Sequence, residues 1–344
     1  MKVIFSDTQK KHHPRHYLSS GAPTANPEVP ERADRLLAAA VLSGLELEAP
    51  EDLGSAPIAA VHTAEYLQFL QNIHVRWSRI PNASEEVTPN VHPDRRDSAY
   101  PASAVGQVGW HVYDNACPIA AGTWEGARWS AMSAAHAARE LTGGAGACYA
   151  LARPPGHHAS SDLAGGFCYL NNTAIGAEVL RSTFDRVAIL DVDVHHGNGT
   201  QSIFYGRRDV LTVSIHADPV RFYPFFWGHP NERGVGAGIG SNLNLPLPRG
   251  TGDDEYLKVL DKALQRIDAF APAALVVALG LDAFEGDPYQ GFALTTGGFG
   301  RIAKKIAAMQ LPTLLVQEGG YLCDELGDNL ESFLRSFTEH HTLL

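Results

Sequence analysis

The chain has 344 residues, 44% of them hydrophobic and 19% charged, which excludes disordered and fibrous classes and allows a sizeable core. Its 27 Lys and Arg against 38 Asp and Glu give a formal charge of −11 with His neutral. A surface this acidic repels phosphate backbones, so it excludes a general nucleic-acid binder and favours a small cationic molecule.

The first residues, Met1 to Asp7, turn polar too early for the apolar segment of a signal peptide. No stretch of 18 apolar residues reads as a membrane span. Short runs rich in β-branched residues at 3–5, 187–190, 210–215, 275–281 and 314–316 predict strands. The runs are continuous rather than alternating, as in a parallel sheet buried on both faces. Between them, 125–141 places Ala127, Ala131, Ala134, Ala138 and Leu141 on one helical face and stops at Gly143-Gly144. A second helix is predicted over 255–270, with Leu257, Leu260, Leu264 and Ile267 on its apolar face. This rhythm predicts an α/β fold with helices on both faces of a mostly parallel sheet. Residues 81–103 and 217–252 show no clear period and read as long functional loops. Within the latter, Gly234 to Gly240 reads as a flexible loop, not a nucleotide loop. Strand signals continue on both sides of each, so the chain reads as one domain, 1–344, with an inserted region at about 81–115. Cys117, Cys148, Cys168 and Cys323 form no CxxC pair and read as reduced thiols of a cytoplasmic protein.

Polar clusters follow several strand ends. One is Asp191-Val192-Asp193-Val194-His195-His196-Gly197-Asn198-Gly199, another is Asp282, a third is Glu318-Gly319-Gly320-Tyr321, and a fourth is Arg153-Pro154-Pro155-Gly156-His157-His158. Ligands of open parallel sheets bind outside the carboxyl ends of the strands, so four such clusters point to one shared site. In Asp191-x-Asp193-x-His195, side chains two apart on an extended chain point the same way and can reach one cation. Asp282, from another strand end, could supply a third ligand, and three protein ligands leave an open position, as in catalytic metal sites. The donor set suits Zn²⁺, and also Fe²⁺ or Co²⁺. The plainer reading, that the two Asp cap a helix near His195, does not account for His195 or Asp282. His157-His158 sits on a turn stiffened by prolines, where imidazoles can exchange protons near neutral pH. Other histidines, such as His12, His13, His340 and His341, read as chemically idle. Tyr321, on a close-approach Gly-Gly loop, reads either as a packing residue or as a donor to a developing oxyanion.

These motifs, with Gly166-Phe167-Cys168-Tyr169-Leu170-Asn171-Asn172 and Gly280-Leu281-Asp282-Ala283-Phe284, resemble those of the histone deacetylase superfamily, in family order over roughly 140–325. The start Ile4-Phe5-Ser6 and Gly122-Thr123-Trp124-Glu125 resemble the bacterial acetylpolyamine amidohydrolases. The resemblance implies the arginase–deacetylase fold. It implies Zn²⁺ on Asp193, His195 and Asp282, and Tyr321 polarising the acyl carbonyl. His158 would be the general base and His157 its electrostatic partner, supported by Asn198 and Asp191 respectively. Some relatives carry Asp at the position of Asn198, which implies a His158 less easily protonated here. Phe167 would form one wall of the acyl tunnel and Tyr223, or else Phe222 or Phe225, the other; Gly166 and Gly320 join the substrate-lining set. A structural K⁺ is implied at the backbones of Asp191, Asp193 and His195 with Ser214, and a second at Phe204.

The resulting expectation is a zinc amidohydrolase removing acetyl groups from polyamines or related small cationic amines. The alternatives are a protein acetyl-lysine deacylase with the same chemistry and a silent acyl-lysine binding module. A dimetal arginase-like enzyme would need more ligands than one DxDxH cluster offers. Relatives of the polyamine type are expected to carry acidic residues at the tunnel mouth. Here the early loop Lys10-Lys11-His12-His13-Pro14-Arg15-His16 is basic, and Asp114 is either a substitute or, as preferred, a solvated turn residue. The resemblance also implies a homodimer that narrows the entrance with residues 81–115, anchored by Trp77, Tyr100, Trp110 and Tyr113 or with these packed in their own subunit. Cys148, Cys168, Cys323, Trp124, Trp129 and Phe284 read as core.

Overall fold

The structure is a computed structural model that describes residues 1–343. Its strands are β1 (Lys2–Ile4), β2 (His16–Ser19), β3 (Ala22–Ala25), β4 (Glu46–Glu48), β5 (Ala147–Ala150), β6 (Val187–Asp191), β7 (Val210–Ala217), β8 (Asn242–Leu247), β9 (Ala274–Leu279) and β10 (Thr313–Gln317). Its helices are α1 (Pro30–Leu42), α2 (Ala56–Ala59), α3 (Ala64–Trp77), α4 (Ala104–His111), α5 (Thr123–Thr142), α6 (Asn172–Arg181), α7 (Asn198–Phe204), α8 (Asp253–Phe270), α9 (Thr296–Ala307) and α10 (Leu326–His340). Eight strands form one sheet in the order β4-β1-β5-β10-β9-β6-β7-β8, and β2 and β3 form a separate hairpin. Every pairing in the large sheet is parallel, so all its carboxyl ends lie on one rim.

The continuous apolar runs are explained by burial on both faces. Tyr149, Leu190, Val213, Val277 and Leu315 face a core shared with α1, α8, α9 and α10. Cys148, Ile189, Val276 and Leu314 face the opposite core, shared with α3, α5 and α6. The small stripe Ala127, Ala131, Ala134, Ala138 and Leu141 of α5 is buried, which lets that helix lie close to the sheet. In α8 the carboxylates Asp253, Asp254 and Glu255 occupy the first turn, where the helix dipole favours negative charge.

Two expectations about loops are corrected. Residues 217–252 contain the edge strand β8, whose Pro246 and alternating Asn residues hide its period; proline is tolerated on an edge because no further strand needs its missing N–H. The region 81–115 contains α4, with Ser103 as its N-cap. Cys323 is partly buried against the core, Cys117, Cys148 and Cys168 are fully buried, and all four are unpaired. Trp124 and Trp129 are only partly buried, whereas Phe284 is core. No helix among the described residues is long and apolar enough to cross a membrane.

Candidate active site

The sheet order brings distant segments together. β5, β10, β9 and β6 are four consecutive strands, and each of the four polar clusters leaves the carboxyl end of one of them. His157 and His158 follow β5, Tyr321 follows β10, Asp282 follows β9, and Asp193 and His195 follow β6. They meet around a cavity of about 570 Å³.

At its floor, one ligand atom from each of Asp193, His195 and Asp282 lies within 4.8 Å of the others. His195 Nδ1 is 3.2 Å from Asp193 Oδ1 and 3.1 Å from Asp282 Oδ2. Backbone donors hold the carboxylates: Gly319 N–H donates to Asp193 Oδ2 at 2.8 Å and Val194 N–H to Asp282 Oδ1 at 3.0 Å. A side chain at Gly319 would fill the cradle, because its Cβ would lie 2.1 Å from Asp282 Oδ2 and 2.6 Å from Asp193 Oδ2. Burial and the neighbouring Asp193 push the Asp282 carboxyl up to about 6. Burial opposes charge on His195 too, yet its contacts with both carboxylates raise it to about 9. The three side chains therefore create a negative, walled point that a divalent cation fits. A second group, Glu48, His136 and Glu140, meets the same spacing but already surrounds Lys2, whose ammonium is 2.7 Å from Glu48 and 2.8 Å from Glu140. Glu51 N–H donates to His136 Nδ1, which leaves the proton on the nitrogen that faces the carboxylates, so this is an ion-pair network.

The two adjacent imidazoles are driven apart. His157 Nδ1 is 3.0 Å from Asp191 Oδ2, and although burial disfavours its charge, Asp193 and Asp191 raise it to about 10. Burial, His157 and His195 hold His158 well below the usual imidazole range. His158 Nδ1 donates to Asn198 Oδ1 at 2.7 Å, which leaves Nε2 as the free acceptor. The Asn198 orientation follows from its other end, where Nδ2 donates to Tyr113 Oη at 3.3 Å. Tyr113 and Tyr223 hydroxyls are 2.8 Å apart, and Tyr223 donates to Asp114 Oδ2 at 2.6 Å. The chain of bonds from His158 thus ends on Asp114, which also accepts from Gly166 N–H and Ala116 N–H. Burial raises the Asp114 carboxyl. Asp114 does sit in a turn, which Ala116 N–H closes, but the solvated reading is corrected: its other partners, Gly166 and Tyr223, come from loops 52 and 109 residues away.

Tyr321 is 3% exposed, and its hydroxyl makes no hydrogen bond to protein among the described residues. Its loop is held from behind. Asp287 Oδ2 accepts from Tyr321 N–H at 2.9 Å, and the Arg32 guanidinium lies 4.8 Å from the phenol centroid while donating to Gly320 and Glu318 carbonyls. Arg32 and Arg153 share the fully buried Glu28, at 2.7 and 2.8 Å. Glu318 accepts from Gly156 N–H at 2.6 Å, His157 N–H at 3.0 Å and the Thr173 hydroxyl at 2.6 Å, and burial pushes its carboxyl up to about 7. Arg32, Glu28, Asp287 and the use of Glu318 escaped sequence reasoning. Their only signal is charge that turns out to be buried.

Phe167 and Tyr223 both line the cavity; Phe167 lies edge-on to Tyr321 at 5.9 Å and Tyr223 edge-on to His158 at 5.0 Å. Phe222 stacks on His195 at 5.0 Å, and Phe225 stands half out in solvent. Gly166 lies under His158 with φ +53°, and Gly320 turns behind Leu281 with φ +111°. Ser214 pairs with Asp191 across β6 and β7, beside a void of about 10 Å³ that Asp191 and Ser214 both line; Phe204 is buried at the end of α7 and does not line it. The basic early loop does not form the mouth. Lys10 pairs with Asp7 and Asp34 and Lys11 with Glu125, whereas Tyr17 to Ser20 reach the cavity. Tyr113 belongs to the cavity wall and Trp77 is bonded within its own subunit, leaving Tyr100 and Trp110, packed edge-on, nearer the surface.

A family model for the histone deacetylase domain matches residues 26–337. The acetylpolyamine amidohydrolase of Burkholderia pseudomallei is 48% identical over 338 residues, covering 98% of each chain. Acetylpolyamine amidohydrolase 1 of Pseudomonas aeruginosa is 42% identical over 342 residues, covering 98% of this chain and 99% of that one. The crystal structure of the acetylpolyamine aminohydrolase from Burkholderia pseudomallei superposes with a TM-score of 0.96, at 48% identity, over 98% of both chains. With this coverage and a sheet of the same architecture, the chain belongs to the histone deacetylase family of amidohydrolases.

Proposed function

We propose that the chain is a zinc-dependent amidohydrolase that removes acetyl groups from polyamines or related small acetylated amines, releasing acetate and the free amine. The observation that carries this reading is the convergence of Asp193, His195 and Asp282 beside His158 and Tyr321 in one aromatic-walled cavity. The names of the full-length relatives support the substrate class.

Asp193, His195 and Asp282 would hold the zinc, which when bound polarises the acetyl carbonyl and acidifies water. Two of the three ligands are anionic, so a protein base matters more than with three neutral imidazoles. His158, neutral and fixed by Asn198, accepts the proton of the attacking water through Nε2 and returns it to the leaving amine. Such transfer contributes about 10²–10⁴-fold. His157, kept cationic by Asp191, offsets the charge that develops beside it. The Tyr321 hydroxyl donates to the developing oxyanion, worth on the order of 10²–10³-fold. Phe167 and Tyr223 line the path of the acyl-bearing stem, and a K⁺ near Asp191 and Ser214 is part of the same proposal. So are a cytoplasmic location, which suits four unpaired cysteines, and a homodimer built on residues 81–115.

The test compares kcat/KM of the zinc-loaded protein on acetylputrescine, acetylspermidine, acetylcadaverine and an acetyl-lysine peptide. The reading expects the small amines to be preferred. A strong preference for the peptide would transfer the assignment to a protein deacylase.

A further inference from the structure

The Tyr321 hydroxyl has no protein partner among the described residues, so nothing at its own end fixes where it points. Its direction comes from ring packing and from the backbone, where two bonds act on one peptide unit. The Gly320 carbonyl accepts from Arg32 Nε at 2.5 Å, and the Tyr321 N–H of the same unit donates to Asp287 Oδ2 at 2.9 Å. A cation therefore holds one edge of the plane and a carboxylate the other. Gly319 and Gly320, the latter at φ +111°, give the approach no stiffness of its own, so the plane depends on these two bonds.

Asp287 also holds a second loop residue. Its Oδ1 accepts from Tyr289 N–H at 2.9 Å, and the Tyr289 ring lies edge-on to Tyr321 at 4.9 Å. The bond to Tyr289 closes a local turn and by itself is an ordinary loop brace. The bond to Tyr321 spans 34 residues, ties the loop after β9 to the loop after β10, and ends on the residue that carries the phenol. Both oxygens accept, which a carboxylate can do and a side-chain amide, with one acceptor atom, cannot. The side chain is 1% exposed, so water cannot take over either bond. A phenol is a long arm on its peptide unit, and a tilt of about 10–20° exceeds what productive geometry tolerates. A misplacement of about 1 Å costs on the order of 10²-fold in rate.

We infer that Asp287 is a positioning residue for the hydrolysis, one that aims the Tyr321 hydroxyl at the acyl oxygen by clamping the Tyr321 N–H. This rests on the amidohydrolase reading and deepens it.

A double-mutant cycle on the zinc-loaded chain, with acetylputrescine as substrate, tests it. Burial and the charge of Asp282 push the Asp287 carboxyl up to about 7, so the assay runs at about pH 8.5, where the carboxyl is ionised. Asp287→Asn lowers kcat by about 10- to 100-fold with little change in KM and no loss of zinc. In a Tyr321→Phe background the same substitution changes kcat by less than about threefold, because there is no hydroxyl left to aim. A general loosening of the site would instead cost the same factor in both backgrounds. Amide exchange at Tyr321, measured on the metal-free chain, is faster in Asp287→Asn by about tenfold or more. Should Asn at this position prevent folding, Asp287→Glu, which keeps two acceptor oxygens and displaces them by one methylene, gives the same cycle with a smaller coupled loss. Equal losses in the two backgrounds, unchanged exchange at Tyr321, or loss of zinc in the variant each overturns the inference and leaves the amidohydrolase reading standing. If the zinc-loaded wild type hydrolyses none of the acetylated amines, the amidohydrolase reading falls first.

Discussion

Replacing Glu28 by Gln perturbs the fold and the site through one atom group. Glu28 is fully buried and holds the guanidinium groups of Arg32 and Arg153, each 1% exposed. Removing the anion leaves two buried cations without their counter-ion, a change that costs about 3–5 kcal/mol. An independent route gives a similar size. Burial favours the protonated form of Glu28, but Arg153, His12 and Arg32 overcome it and hold the carboxyl at about 2, against an ordinary 4.5. A drop of that width corresponds to about 3 kcal/mol. A chain of 344 residues has an unfolding entropy of about 0.7 kcal/mol/K, so the midpoint of Glu28→Gln should fall by about 4–7 °C. The sign with pH follows from the depressed value. The stabilisation is fully present above 4.5 and fades as pH falls toward 2, so the gap between wild type and variant is constant from pH 5 to 8 and narrows below 4.5. Urea midpoints at pH 7, 5 and 4 measure it. A variant within about 1 kcal/mol of wild type at pH 7, or a gap that widens in acid, would refute the argument.

Tyr321→Phe should keep its metal and its fold, since the hydroxyl bonds to no protein group among the described residues, and lose about 10²–10³-fold in kcat; near-full turnover with bound metal removes Tyr321 from the mechanism. Asp114→Asn weakens the bond chain through Tyr223 and Tyr113 to Asn198, so kcat should fall and its pH profile move while KM for a neutral acetamide changes little. A loss confined to KM would instead make Asp114 a substrate contact. Glu318→Ala leaves Gly156 N–H, His157 N–H and the Thr173 hydroxyl buried without their acceptor, which should cost at least about 3 kcal/mol in denaturant unfolding; an unchanged midpoint contradicts the assigned partners.

Strands β1, β6, β7, β9 and β10 were legible because burial on both faces leaves continuous apolar runs, and the motifs after β6, β9 and β10 were legible because each sits just past such a run. The order of the strands was not. Nothing local to β5 or β10 says that they are neighbours, yet that pairing puts Tyr321 opposite His157 and His158. Strand β8 escaped because Pro246 and two Asn residues break its pattern, and its edge position tolerates both. The solvation of Asp114 was misjudged because the tyrosine that bonds to its carboxylate lies 109 residues away. Glu28 and Arg32 look like ordinary surface charges until tertiary packing buries them with Arg153. Long-range burial of charge leaves no periodic trace in a sequence.

The central claim is that Asp193, His195 and Asp282 grip one divalent ion on which hydrolysis depends. Zinc stoichiometry measured alongside kcat/KM, for the wild type and for Asp282→Ala, tests it directly. The account predicts one ion per chain in the wild type, activity lost on chelation and restored by zinc, and both ion and activity lost in Asp282→Ala. Equal zinc content in the variant, or wild-type activity that survives complete chelation, would contradict it.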